Sequence, residues 1–541
     1  MEKRAFIAVI LSLLVLFLYQ YLVDKNKKMP ATKEVPQTEV TEPKKEGLEG
    51  MSREERILPE TMSKMSLVKV QKITQKEEKE ITVTTDLYTA VFTTRGAKLK
   101  SWKLQKYKDK IGKDAQNIDL VTGRKSEGYP LGLESSKPDL HDIREALFEV
   151  DKGSLSLKER GEQGSISFSW TSPHGIELIK KFTFSAGKYL VGLDVNISNL
   201  SDKDTKEDVA LSWKTKLDPS KEVDSYSFSG PVALIDGNLE EVEIKKLDKD
   251  RAYSGTVKWA GYEDKYFMSS IIPKESRKVK LRMSKSSGDV VSVDIVEPIE
   301  PYPGGKMLHS YSLYLGPKDI DVLKSVGADL QKALNFGWFD IIAKPLLIFL
   351  KYINKGTHNF GLAIIVLTVV IKILFFPLTH TSYKSMKNMQ KVQPLMLKLK
   401  KKYKDDKERL NKEIMALYRS HKVNPLGGCL PMILQIPVFF ALYKALLGSI
   451  ELRHAPFIFW INDLSAKDPY YITPIIMGAS MFIQQKMTPT VGDPMQAKIM
   501  LLMPIVFTVM FLNFPSGLVI YWLVNNVLSI GQQFYINKYT A

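Results

Sequence analysis

One lysine, Lys372, stands inside the otherwise apolar stretch from Phe360 to Leu378 (FGLAIIVLTVVIKILFFPL). A run of this length and composition is a transmembrane-helix candidate, because roughly 20 apolar residues cross a hydrocarbon core. A lysine in mid-helix costs about 2.5–3.5 kcal/mol on insertion scales and needs a compensating environment. Two readings are open. The stem can snorkel to the interface, since Lys372 lies little more than one helical turn before Pro377. Or the ammonium occupies a water-filled cavity, or faces a partner or ligand that wants positive charge at that depth. Further polar residues fall in apolar segments: Thr368, one turn before Lys372, then Gln435, Gln484 and Gln485, Thr508, and Asn525 and Asn526 with Tyr521 and Trp522. Each alone suits an interhelical hydrogen bond. Together with an unpaired lysine they are compatible with a wet groove.

Covalent and energy-coupling chemistry has no footing in the chain. There is no Gly-x-x-x-x-Gly-Lys-Ser/Thr phosphate loop, no His-Glu-x-x-His and no Gly-x-Ser-x-Gly elbow. The seven histidines form no close ligand pair, and the single cysteine, Cys429, excludes an intramolecular disulfide and a thiol metal cage. Asp463, Asp468 and Asp493 fall in expected loops, so the paired intramembrane carboxylates of a proton-coupled transporter are missing. The expectation is a protein that is not an enzyme, carries no cofactor or metal, and works through binding and solvation.

The elements that must hold these residues follow from pattern. At 541 residues the chain exceeds one domain, and 77 Lys+Arg against 60 Asp+Glu give +17, which suits anionic phospholipid or RNA. Residues 1–23 read as an uncleaved transmembrane anchor, because the apolar run passes into Asp24 with no small-residue cleavage site. Residues 24–60 read as a flexible Lys/Glu/Pro/Thr-rich linker. Residues 61–320 show the period-2 alternation of half-buried strands, as in Leu178-Ile-Lys-Lys-Phe-Thr-Phe, and predict a large all-β sandwich. Residues 321–358 contain an apolar stretch broken by Asp340, Lys344, Pro345 and Lys351, fitting an amphipathic helix at the membrane interface. Residues 359–541 predict an all-α core with five spans at about 359–378, 426–449, 470–487, 497–514 and 516–536, several of them short enough to imply a thinned bilayer.

Between the first two of these spans, residues 380–424 form a basic segment that includes Lys398, Lys400, Lys401, Lys402 and Arg409. Its positive excess places it in the cytoplasm. Counting spans then puts both termini inside and the β domain outside. Apolar stripes (Met386, Met389, Met396, Leu399, Tyr403, then Leu410, Ile414, Leu417, Tyr418) predict an antiparallel helical hairpin turning at Lys404-Asp405-Asp406, with Asp406 capping the second helix.

Several segments carry a resemblance. Ile371-Lys-Ile-Leu-Phe-Phe-Pro-Leu-Thr, Lys422-Val-Asn-Pro-Leu-Gly-Gly-Cys-Leu-Pro, Gln435-Ile-Pro-Val-Phe-Phe-Ala-Leu-Tyr and Asp463-Leu-Ser-Ala-Lys-Asp-Pro-Tyr-Tyr are similar to the YidC/Oxa/Alb family of membrane protein insertases. So are Gln485-Lys-Met-Thr-Pro, Asp493-Pro-Met-Gln and Phe514-Pro-Ser-Gly-Leu-Val-Ile-Tyr-Trp. The likeness covers about residues 335–536, and the anchor, linker and β domain resemble the version from bacteria with two membranes. It implies a hydrophilic groove open to cytoplasm and lipid, in which Lys372 stands where the family usually has arginine. Lysine keeps the charge but not the bidentate fork. By the same resemblance Thr368, Gln435, Gln485, Thr508, Tyr521 and Trp522 are groove liners. Lys398, Lys400, Lys401, Lys402 and Arg409 are hairpin contacts. The implied partners are nascent membrane proteins, the ribosome, the Sec translocon and anionic phospholipid, with no specific nucleic acid, at the bacterial inner membrane. A small-solute transporter would require paired midplane charges or an inverted repeat, and neither is visible. A membrane-anchored periplasmic sugar-binding or sugar-modifying protein would keep its function without residues 335–541.

Overall fold

The computed structural model describes residues 77–539, apart from 124–127, 136–137, 219–226, 276, 287, 422, 424–429 and 489–493. The expected anchor (1–23) and linker (24–60), Cys429 and Asp493 lie outside the described residues.

Eighteen strands among the described residues, numbered along the chain, build the β domain. A five-stranded sheet runs in the order β4 (Asn117–Asp119), β3 (Lys98–Lys108), β2 (Tyr88–Thr93), β1 (Glu80–Thr84), β7 (Ser154–Ser156), with only β1 and β7 parallel. A thirteen-stranded antiparallel sheet makes the rest. Its bend lies in β14 (Arg251–Glu263), whose first half pairs with β16 (Lys278–Lys285) and whose last residues pair with β15 (Phe267–Pro273). A strand shared in this way turns one sheet into two layers. The small sheet packs through Phe92 onto Phe168, Phe182 and Phe184, with ring centroids 4.8–6.1 Å apart.

In β9 (Ile176–Ser185) alternate side chains Ile176, Leu178, Phe182 and Phe184 face the core, and the same register turns Lys180 inward. Its amine donates to the carbonyls of Ala97 (2.6 Å) and Leu131 (2.5 Å), and burial pushes its pKa down to about 7. A buried lysine tolerated this way is held by carbonyls, not by a counter-charge.

Helices follow. α1 (Ile320–Val326) is capped by Asp319, which accepts from Asp321 and Val322 N–H. α2 (Asp340–Thr357) neutralises the charges that interrupt its apolar run: Lys344 pairs with Asp340 at 2.7 Å, and Lys351 with Asp319 (2.9 Å), Asp321 (2.7 Å) and Glu451 (3.0 Å). Trp338, Ile341 and Tyr352 remain exposed around it.

α3 (Phe360–Lys402) is one helix of 43 residues, about 64 Å long. The span expected at 359–378 and the first arm of the hairpin expected at 380–424 are continuous in this one helix. Proline removes a donor and favours a kink, but the chain can stay helical around it. Thr379 and Thr381 hydroxyls bond back to the Phe375 and Pro377 carbonyls across this turn. The hairpin therefore starts from within α3 and closes with α4 (Lys407–Ser420), where Asp406 Oδ1 caps Arg409 N–H at 3.0 Å. Met389, Val392 and Val423 form its small core, with Leu417 and Tyr418 against it. Val392 lies outside the expected stripe.

The remaining helices are α5 (Leu430–Gly448), α6 (Ile472–Met487), α7 (Pro494–Phe511) and α8 (Ser516–Tyr539), of 19, 16, 18 and 24 residues. Three of these four sit near or below the length that spans a bilayer without tilt.

Candidate functional site in the helical core

Lys372 leaves α3 toward α8, not along its own helix. Its Nζ donates to Ser529 Oγ at 2.7 Å. Lys372 comes twelve residues after the start of α3 and Ser529 thirteen after the start of α8, so both lie about 18–20 Å down their helices. The stem thus crosses from α3 to α8 about level with its own position along the helix. Ser529 is 4% exposed and gives its own proton to the Asn525 carbonyl at 2.7 Å, leaving its lone pairs to the ammonium. Among the described residues no carboxylate pairs with Lys372, and two of its three donors have no protein acceptor.

Ser529 belongs to a polar stripe on α8 formed by Asn525, Asn526, Ser529, Gln532 and Gln533, at the spacing of one helical face. Asn525 Oδ1 accepts from Gln435 Nε2 of α5 at 2.8 Å. Asn526 Nδ2 reaches Ser480 Oγ of α6 at 3.2 Å, and Gln533 Nε2 the Met487 carbonyl at 2.7 Å. Gln532 Nε2 faces the Phe376 carbonyl of α3 at 3.5 Å. α8 is therefore the polar spine against which α3, α5 and α6 are set.

The expected liners divide. Lys372 and Gln435 join the spine directly, and Tyr521 is buried beside Gln435. Thr368 is fully buried, with its hydroxyl donated to the Ile364 carbonyl of its own helix at 2.6 Å. Trp522 packs edge-on to Phe439 at 4.6 Å and beside Phe507 and Phe511 in an aromatic cluster. Thr508 returns its hydroxyl to Pro504 at 2.7 Å and lies against Gly478. Gln485 is half-buried, with its Nε2 lacking a partner among the described residues. Of the hairpin cations, Lys398, Lys401, Lys402 and Arg409 are exposed and Lys400 is half-buried; Lys402 and Arg409 lie over the Tyr403 ring. Ser529, Gln532 and Gln533 were not among the expected residues, although their spacing from Asn525 was available as a signal. No His/Cys/Asp/Glu cluster fit to hold a metal occurs among the described residues.

Comparison with known proteins gives this arrangement its context. A family model described as "60Kd inner membrane protein" matches residues 352–541, and one described as "YidC periplasmic domain" matches residues 80–349. A "Membrane protein insertase YidC" from Syntrophus aciditrophicus (strain SB) is 47% identical over 555 residues, covering 99% of this chain and 100% of that protein. The chain belongs to the YidC membrane protein insertase family. A second YidC, from Citrifermentans bemidjiense, is 44% identical over the whole length of both chains. Among solved structures, "Active YidC insertase crystal structure with the first transmembrane domain resolved" covers 86% of this chain and 94% of that one, at 20% identity and a TM-score of 0.38. A galactose mutarotase related enzyme from Lactobacillus acidophilus covers 44% of this chain at 12% identity and a TM-score of 0.32. As a YidC family member the chain is an inner-membrane protein whose β domain is periplasmic.

Proposed function

We propose that the chain inserts newly made proteins into the inner membrane and assists their folding, by solvation and without nucleotide hydrolysis. A hydrophobic segment arriving at the cytoplasmic hairpin, through Lys398, Lys400, Lys401, Lys402 and Arg409, slides along the spans. Its short polar flank is held meanwhile by the Lys372 ammonium and the amides of the α8 spine, which replace lost water. Burial of the apolar segment in lipid, at about 25 cal/mol per Å², drives the step. Short helices thin the bilayer and shorten the flank's path. In this reading five spans and the N-terminal anchor place both termini in the cytoplasm. The clients arrive from the ribosome, alone or through the Sec translocon, and anionic phospholipid faces the basic hairpin.

The observation that supports this most strongly is an ammonium turned into the helical core on a single serine hydroxyl, with no acid paired to it among the described residues. Photo-crosslinkers placed at Asn525 and at Val509 (an exposed position on α7) distinguish a polar path from the lipid-facing surface. We expect a stalled nascent chain to crosslink from 525 through its polar flank and from 509, if at all, through its apolar segment. A polar flank that never reaches 525 contradicts the proposal.

A further inference from the structure

Residues 449–471, between α5 and α6, tie the heads of the helices together. The Asn359 side chain, which caps α3, donates to the Phe457 carbonyl at 3.0 Å, and a Cβ on Gly361 would meet the Phe457 ring at 2.0 Å. At the head of α8, Ser516 N–H reaches the Ala466 carbonyl at 2.7 Å and Gly517 N–H that of Leu464 at 2.9 Å. Two carboxylates brace the segment from inside. Asp463 accepts from His454 N–H, Ser465 N–H and the Ser465 hydroxyl; Asp468 accepts from Trp460 Nε1 at 3.1 Å and from both the N–H and hydroxyl of Thr473 in α6. Of its two cations, Lys467 is exposed and lies over the Tyr471 ring, and Arg453 turns to the β domain, donating to the Lys108 (2.5 Å) and Asp109 (3.2 Å) carbonyls.

From this braced frame one apolar turn projects. Phe457 N–H bonds the Ile461 carbonyl and Ile461 N–H that of Ile458, so the turn is closed on itself. At its tip Phe459 takes φ +54°, a conformation bulky L residues rarely adopt, and is 84% exposed. Ile458 is exposed beside it and Trp460 stacks on it at 5.8 Å. Exposed apolar surface continues from Tyr470 and Tyr471 into Ile475 and Ile476 on α6. Asp463 and Asp468 are thus spent within the segment, and Ile450, Leu452, Ile461 and Leu464 are buried, while Ile458 and Phe459 at the tip of the turn face out.

The geometry points to the Ile458–Phe459–Trp460 turn as an anchor in the outer-leaflet interface of the membrane, setting the depth at which Lys372 stands. Aromatic side chains at the headgroup level fix a membrane protein's position along the normal. The turn is bonded to the head of α3, and Lys372 lies twelve residues farther, about 18 Å. Half of a hydrocarbon core of about 30 Å is about 15 Å. Seating the tip at the headgroup–acyl boundary therefore puts the ammonium near the midplane. The inference rests on the membrane placement of the helical core.

The test uses the full chain in proteoliposomes with Cys429→Ser and one nitroxide-labelled cysteine at a time. Collision with oxygen, which concentrates in hydrocarbon, is compared with collision with a water-soluble nickel chelate. Val509→Cys on α7 calibrates lipid, and Leu200→Cys, exposed on the β domain, calibrates water. A lipid signature at 509 verifies the membrane placement independently of the loop. Phe459→Cys should give an oxygen-to-nickel ratio several-fold above that at 200. A ratio equal to that at 200, or protection from both reagents by a covering protein, overturns the anchor. For depth, a label at the exposed Leu374 on α3 reports the ratio in Phe459→Asp and Phe459→Leu. The Asp variant should shift it at least twofold and the Leu variant leave it unchanged; equal ratios overturn the depth-setting role.

Discussion

An ammonium resting on one hydroxyl has two donors to offer, and that residual capacity sets Lys372 apart from a structural ion pair. Ser529 holds it there. Removing the hydroxyl by Ser529→Ala should free the lysine stem and lower insertion of clients with acidic translocated flanks about two- to fivefold, while Ser529→Thr restores it. Equal activity of the Ala and Thr variants, measured by protease protection of such a client, contradicts the positioning role. Lys372 was legible in the sequence because a charge in an apolar run has high contrast. Gln532 and Gln533 were not, since neutral polar residues near the end of a span look like an ordinary exit from the membrane, and Ser529 was not, since one serine in mid-span has little contrast. Thr368 shows what spacing leaves out. One-turn spacing relates it to Lys372, but a threonine hydroxyl can satisfy itself on its own helix, as it does with Ile364.

Among the elements, close approach between helices depends on small residues. Gly478 of α6 leaves room for the Thr508 hydroxyl of α7, where an added Cβ would stand 1.9 Å from Oγ1. Gly478→Ala should therefore force the helices apart, costing about 1–3 kcal/mol as overpacking does. Thermal unfolding in detergent should show a midpoint several degrees lower; an unchanged midpoint contradicts the contact. The sequence disclosed helix positions well but not the continuity of α3. Pro377 and the change from apolar to basic composition mark a membrane boundary, and such a boundary need not interrupt backbone hydrogen bonding.

For the molecule as a whole, two cations join the β domain to the helical core. Lys351 brings Asp319 and Asp321 at the base of the β domain to Glu451, and these carboxylates raise its pKa even against burial. Arg453 lies over Tyr266 and Phe267 while bonding two carbonyls of the β3 end. Truncating one partner of a buried ionic cluster leaves the others uncompensated. Lys351→Ala combined with Arg453→Ala should raise amide hydrogen exchange in residues 449–455 at least tenfold while strands such as β9 stay protected. Unchanged exchange in 449–455 contradicts the joint. Period-2 alternation revealed the β domain, but not the bend through β14 or these contacts, because periodicity identifies strands and not their neighbours.

The Lys372 ammonium, paired with no carboxylate among the described residues, is proposed to receive the polar flank of a client. The most direct measurement of this role is insertion of one small client, with an acidic or a neutral translocated flank, by Lys372→Arg, Lys372→Ala and Lys372→Glu. Arg should support both flanks, Ala should slow the acidic flank several-fold, and Glu should slow it about tenfold or more while sparing the neutral one. Normal insertion of the acidic-flanked client by the Glu variant would contradict the role.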